Sequence, residues 1–111
     1  MQIKDLKTGM KEVNVKAKVT EKSATREVYS RYGYNVHRVA NAIIADKTGN
    51  IKLVLWNEQI DAVSVGDSVH IENGYVTTFR GENQLSVGKK YGKLNVTKHK
   101  VKGWKEPELQ K

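Results

Sequence analysis

The chain has 111 residues, 38% of them hydrophobic, with 20 Lys and Arg against 12 Asp and Glu for a formal net charge of +8. This length suits one domain with a thin core, and no apolar run approaches the roughly 20 residues that a membrane helix needs. The absence of cysteine excludes disulfides, thiolate metal sites and cysteine nucleophiles, while the positive excess favours polyanionic partners, nucleic acid before anionic membrane.

The N-terminal MQIKDLKTGMKE lacks the apolar core of a secretory signal, so a cytoplasmic protein is expected. Val13, Val15, Ala17 and Val19 alternate with polar residues, which predicts a half-buried first strand. EKSATREVYSRYGYN follows as a loop or a protruding hairpin, with a turn at Gly33. VHRVANAIIA predicts the second strand. DKTGN predicts a tight hairpin turn, with Gly49 able to take positive φ beside a bulge. In IKLVLW, Ile51, Leu53 and Leu55 alternate with Lys52, Val54 and Trp56. The aliphatic set is expected inside, which leaves Trp56 on a face shared with a lysine. Ile60 and Val63 in NEQIDAVSVGD have helical spacing and predict one helical turn.

SVHIENGYVTTF is the fourth strand. A bulge at Asn73-Gly74 shifts its phase by one residue, so Val69, Ile71 and Val76 point inward and Tyr75, Thr77 and Phe79 outward. RGEN is a second tight turn. QLSV begins the fifth strand, and KLNVTKHKV completes or extends it.

Five short strands, with at most one short helix between strands 3 and 4, predict an all-β barrel. The pattern fits a five-stranded Greek-key OB-fold, whose ligand face lies on strands 2–3, and it also fits an SH3-like barrel. The domain is expected to span residues 1–100. Residues 101–111 then form a short basic tail, expected to be poorly ordered.

The exposed rings suggest a use. Trp56, Tyr75 and Phe79 share the outer face with Lys52 and Arg80, and Tyr29, Tyr32 and Tyr34 lie among Arg26, Arg31, His37 and Arg38. A ring can stack on any base, and cations can meet the phosphates. A duplex hides its base faces, so a stacking platform favours single strands. For any one of these aromatics, packing is the default reading, and the argument rests on the set. No catalytic or metal motif surrounds His37, His70 or His99, and there is no phosphate-binding Gly-rich loop. Asp46, Asp61 and Asp67 read as turn and cap residues. Neither enzyme activity nor a cofactor is expected.

LKTGMKEVNVKAKV, ADKTGNIKLVLW and GDSVHIENGYVTTFRGENQLSVG resemble the archaeal single-stranded DNA-binding protein with a single OB-fold, of the replication protein A-like family. The similarity covers roughly residues 3 to 90. It implies an OB-fold that binds single-stranded DNA with little sequence preference during replication, repair or recombination. It also implies base stacking by Trp56, Tyr75 and Phe79, with Tyr75 standing where close relatives carry tryptophan. Ser86 stands where some metazoan relatives carry an aromatic, so no fourth platform is expected there. Lys52, Arg38 and Arg80 follow as phosphate contacts, on local pattern as much as on the resemblance, with Tyr29 and Tyr34 as loop contacts.

The chain is expected to be a monomer when free, associated with the nucleoid and with replication or repair proteins. Single-stranded RNA stays open as a second ligand beside single-stranded DNA. An RNA-binding OB domain and an assembly subunit of a replication protein A-type complex stay open as alternatives. The family's flexible Gly-rich tail ends acidic, whereas this chain ends VTKHKVKGWKEPELQK, where Trp104 is expected to pack.

Overall fold

The structure, a computed structural model, describes residues 1–29, 35–88 and 91–98. A single 3-10 turn at Ile3–Asp5 precedes β1 (Val13–Lys22), β2 (Arg26–Tyr29), β3 (Val36–Asp46) and β4 (Gly49–Trp56). The helix α1 (Glu58–Ala62) follows, then β5 (Ser68–Phe79), β6 (Glu82–Val87) and β7 (Lys93–Thr97). The sheet order is β1-β3-β4-β6-β5-β7. β1 also pairs with β5, which closes the barrel, and β4 runs parallel to β6. The five strands read from the sequence are thus β1, β3, β4, β5 and β6. Two short strands extend that frame. β2 pairs with the first half of β3, and β7 pairs with the first half of β5.

Closure depends on β1 changing partners. Val15, Lys16 and Ala17 stand opposite Ile71, His70 and Val69 of β5, and Val19 stands opposite Ile44 of β3. Lys18 faces both strands, opposite Ala45 and Ser68. An irregularity between Val19 and Glu21 bends the strand at the crossover.

The alternation in the sequence supplies the core. Val13, Val15 and Val19 of β1 meet Ile44, Leu53, Leu55, Ile71, Val76 and Leu85 inside the barrel. Ile60 and Val63 close one end from α1. The carbonyls of that helix are capped from outside it. Lys22 Nζ donates to Ile60 O and Val63 O at 2.6 and 2.7 Å, and Lys98 Nζ donates to Ala62 O at 2.9 Å. Asp67, buried, accepts from Ser64 N and from Lys98 Nζ.

Two turns decide the register around the outer face. At the β3–β4 turn, Gly49 does not take positive φ; it opens β4 opposite Asp46. The Asp46 carboxylate makes that unnecessary, because it accepts from Thr48 N, Thr48 Oγ1 and Gly49 N and pins the turn itself. It also accepts from Ile3 N at 2.9 Å, which ties the N-terminal turn to the hairpin. Together these donors lower its pKa to about 2. The β5–β6 turn places both Arg80 and Gly81 at positive φ, the geometry that matches strand twist in a two-residue hairpin.

The bulge in β5 lies where Asn73-Gly74 predicts it. Pairing with β1 steps from Val15↔Ile71 to Val13↔Gly74, so β5 carries one extra residue, and Asn73 has φ 57°. A Cβ on Gly74 would lie 2.9 Å from Ile71 Cγ2 and 3.0 Å from Ser86 O, so glycine lets the strands close here.

Candidate nucleic-acid interface

Beyond the bulge, Gly74 and Val76 face the core, and Tyr75, Thr77 and Phe79 face outward. The outer face is a set of cross-strand rows. Ile43, Lys52, Gln84 and Thr77 form one row across β3, β4, β6 and β5. Asn41 stands beside Val54, and Ser86 beside Tyr75, in the next. Arg26, Val39 and Trp56 form a third, and Glu82 with Phe79 ends the face on the other side.

The rings of this face remain open. Trp56 is 39% exposed, Tyr75 40% and Phe79 52%. Val39, Val54 and Ser86 among them are buried. The rings therefore rise from a low, small-residue floor. A cleft of about 620 Å³ is lined by Trp56, Tyr75, His37, Asn57 and Leu94, among others.

Trp56 is held by its neighbours. Its backbone N–H donates to Gln59 Oε1 at 3.0 Å, and His37 meets its ring edge-on at 6.4 Å between centroids. Asn57 then turns the chain into α1 with φ 52°. Its N–H donates to Arg38 O, and its Oδ1 accepts from Arg38 N. The end of β4 is thus tied to β3 by an exchange of two hydrogen bonds.

The cations are placed in three ways. Lys52 lies on the outer face and pairs with Glu82 at 3.0 Å. Arg80 stacks its guanidinium over the Phe79 ring, 5.2 Å from the centroid. Arg38 takes neither position. In the alternation of β3 it belongs with the core positions Ala40 and Ala42, and it pairs with Asp61 of α1 through two contacts of 2.9 and 3.4 Å. Its guanidinium holds the Asp61 carboxyl below the ordinary carboxylate range.

Tyr29 stands opposite Val36, in the same alternate set as Arg38, and its hydroxyl donates to Glu27 at 3.1 Å. That hydrogen bond raises its pKa. Neither Arg38 nor Tyr29 shares the Trp56 row, whereas Arg26 and His37 lie on the Trp56 side of the hairpin. Arg26 is opposite Val39, and His37 is two residues from it. Pairing register carries this distinction, and the loop sequence does not show it. Tyr34 and Trp104 lie outside the described residues. Among the described residues no cluster of His, Asp and Glu could hold a metal, and no helix is long and apolar enough to cross a membrane.

The single-stranded DNA binding protein Ssb-like OB-fold family matches residues 6–96. The chain belongs to this family. It is a family of binding proteins rather than enzymes. The single-stranded DNA binding protein Ssb of Saccharolobus solfataricus is 37% identical over 89 residues, which cover 80% of this chain and 59% of that protein. The chain therefore spans little more than half the length of that relative.

The solution structure of a replication factor A related protein from Methanobacterium thermoautotrophicum superimposes with a TM-score of 0.70 at 27% identity, covering 86% of this chain and 88% of the other. The second OB-fold domain of replication protein A from Methanococcus maripaludis gives a TM-score of 0.71 at 22% identity, covering 91% and 97%, and shows the shared fold. With these matches the barrel is an OB-fold, and the SH3-like alternative falls away.

Proposed function

We propose that this chain binds single-stranded DNA with little sequence preference, using the outer face of β3, β4, β5 and β6. The observation that carries the reading is the placement of Trp56, Tyr75 and Phe79 as exposed rings on one face, above the buried floor of Val39, Val54 and Ser86. Rings of this kind accept any base, because every base offers a π-face. Lys52 and Arg80 border the same rings and meet the phosphates. Arg38 acts from the side through a surface pair with Asp61, which a phosphate can replace because such exposed pairs contribute only about 0–1 kcal/mol.

The family match and the similarity to the Saccharolobus solfataricus protein, whose name states single-stranded DNA binding, support the reading. The protein acts passively as a monomer, covering exposed strands during replication or repair. A footprint of about 4–16 nucleotides per OB-fold is expected.

The test is intrinsic tryptophan fluorescence during titration with oligo-dT, matched duplex DNA and single-stranded RNA. Trp104→Phe is measured in parallel. Strong quenching by oligo-dT that survives Trp104→Phe places a base against Trp56. A clear preference for duplex or for RNA overturns the single-stranded DNA reading.

A further inference from the structure

Tyr75 borders two clefts. One is the cleft of about 620 Å³ that it shares with Trp56. The other, of about 570 Å³, lies on its far side and is bounded by Tyr91, Gly9, Gly74, Gly88 and Gly92. Tyr91 is the most exposed aromatic of the described residues, at 73%.

Four glycines leave part of the second cleft walled by backbone, and Met10, Val76 and Thr77 line the rest between the two tyrosines. Gly9 has φ +93°, and a Cβ there would meet nothing within 4 Å. Gly88 and Gly92 approach so closely that a Cβ on Gly92 would lie 2.6 Å from Gly88 N, and Gly92 N donates to Gly88 O at 3.1 Å. Tyr91 is held beside them, since its carbonyl accepts from Asn73 Nδ2 at 3.3 Å at the β5 bulge. The same bulge that turns Tyr75 outward thus anchors the chain at Tyr91. Lys11 also lines this cleft, with Glu12 next to it.

We propose that the cleft between Tyr75 and Tyr91 is a further nucleobase subsite, in which Tyr91 is a stacking platform and Lys11 meets the adjoining phosphate. The occupant is the next stretch of the same single strand, because the two clefts adjoin and share Tyr75, Gly88 and Gly92 in their walls. The proposal rests on the reading of the outer face as a single-strand path. A flat base fits a cleft walled by two rings and floored in part by glycine backbone, and its π-face needs no particular sequence. The position differs from Ser86, which is buried and carries no ring.

Binding of labelled oligo-dT of increasing length to the full chain tests this, with Tyr91→Ala, Tyr91→Phe and Trp56→Ala beside the unaltered protein. Tyr91→Ala is expected to leave the shortest oligonucleotide that binds unaffected. It should remove the gain in affinity on lengthening, a loss of about fivefold to tenfold for a stacking contact. Tyr91→Phe should keep that gain, because the ring is retained. Tyr91→Ala equal to the unaltered protein at every length, with Trp56→Ala weakened, overturns the subsite and leaves the main path standing. Tyr91→Phe as weak as Tyr91→Ala overturns the stacking role. If Tyr91→Ala and Trp56→Ala both bind like the unaltered protein, the reading of the whole face fails with it.

Discussion

Replacing Trp56 with alanine separates a binding ring from a core ring. A Trp residue presents roughly 250 Å² when fully accessible, so 39% exposure leaves about 100 Å² for a base to cover. At about 25 cal/mol per Å², that area corresponds to about 2.5 kcal/mol. The figure falls within the roughly 1–3 kcal/mol measured for single base–aromatic stacks. Trp56→Ala should therefore weaken oligo-dT binding by about sixtyfold to seventyfold.

Its effect on the fold should be smaller than that of a buried aromatic, whose truncation costs about 3–5 kcal/mol. The ring stands outside the barrel core, and its described aromatic partner is His37. A loss of about 1–2 kcal/mol is expected from that contact and the exposed floor. Fluorescence anisotropy with labelled oligo-dT gives the affinity, and thermal unfolding by circular dichroism gives the stability. Unchanged affinity together with a core-sized loss of stability would refute the reasoning and make Trp56 a structural residue.

Lys52→Ala should flatten the log–log salt dependence of binding by about 0.7, the contribution of one phosphate to a single strand. Glu82→Gln, which frees Lys52 from its 3.0 Å partner, should strengthen binding at low salt; weaker binding would remove Lys52 from the phosphate path. Asp46 is held at about pKa 2, below its ordinary 3.8, by the donors of its own turn and by Ile3 N. Because the folded pKa is the lower one, its stabilisation is present above about pH 4 and is lost as pH falls towards 2. Denaturant midpoints between pH 5 and pH 2 should therefore fall less in Asp46→Asn than in the unaltered protein, and parallel curves would count against this role. Leu53→Ala removes a fully buried side chain and should cost about 2–5 kcal/mol in chemical denaturation, whereas a loss below 1 kcal/mol would mean that the core collapses around the gap.

Much of the barrel is legible in local patterns. The alternation of Ile51, Leu53 and Leu55 against Lys52, Val54 and Trp56 sets the faces of β4, and the Asn73-Gly74 pair sets the phase of β5. Those two features place Trp56, Tyr75 and Phe79 on one face. What escaped the sequence depends on partners far away in the chain. Val54 alternates with the core residues and still is buried, because it lies in the floor between rows of other strands. The basic aromatic loop does not show that Arg38 lies off the Trp56 row. The register of Arg38 opposite Glu27 turns it towards Asp61, and no local signal gives that register. The parallel contact of β4 with β6 and the separate strand β7 are likewise settled by closure of the sheet. Gly49 does not use the positive φ open to it, because the Asp46 carboxylate pins the turn.

The change of partner by β1 also orders events in time. The pairs of β1 with β5 that close the cylinder span from 50 residues, for Lys18 and Ser68, to 61, for Val13 and Gly74. The hairpin of β3 and β4, with its two-residue turn, closes a far shorter loop and forms at far lower entropic cost. The strands that carry the Trp56 half of the face, β3 and β4, also precede Tyr75 and Phe79 in the chain, so they are available to pair before those rings are made. Until β5 pairs with β1 and β6 pairs with β4, those two strands each present an unpaired edge able to recruit a neighbouring chain. A nascent chain stalled before Gly74 is thus a sticky half-barrel, and the last strands both complete the ligand face and remove the hazard.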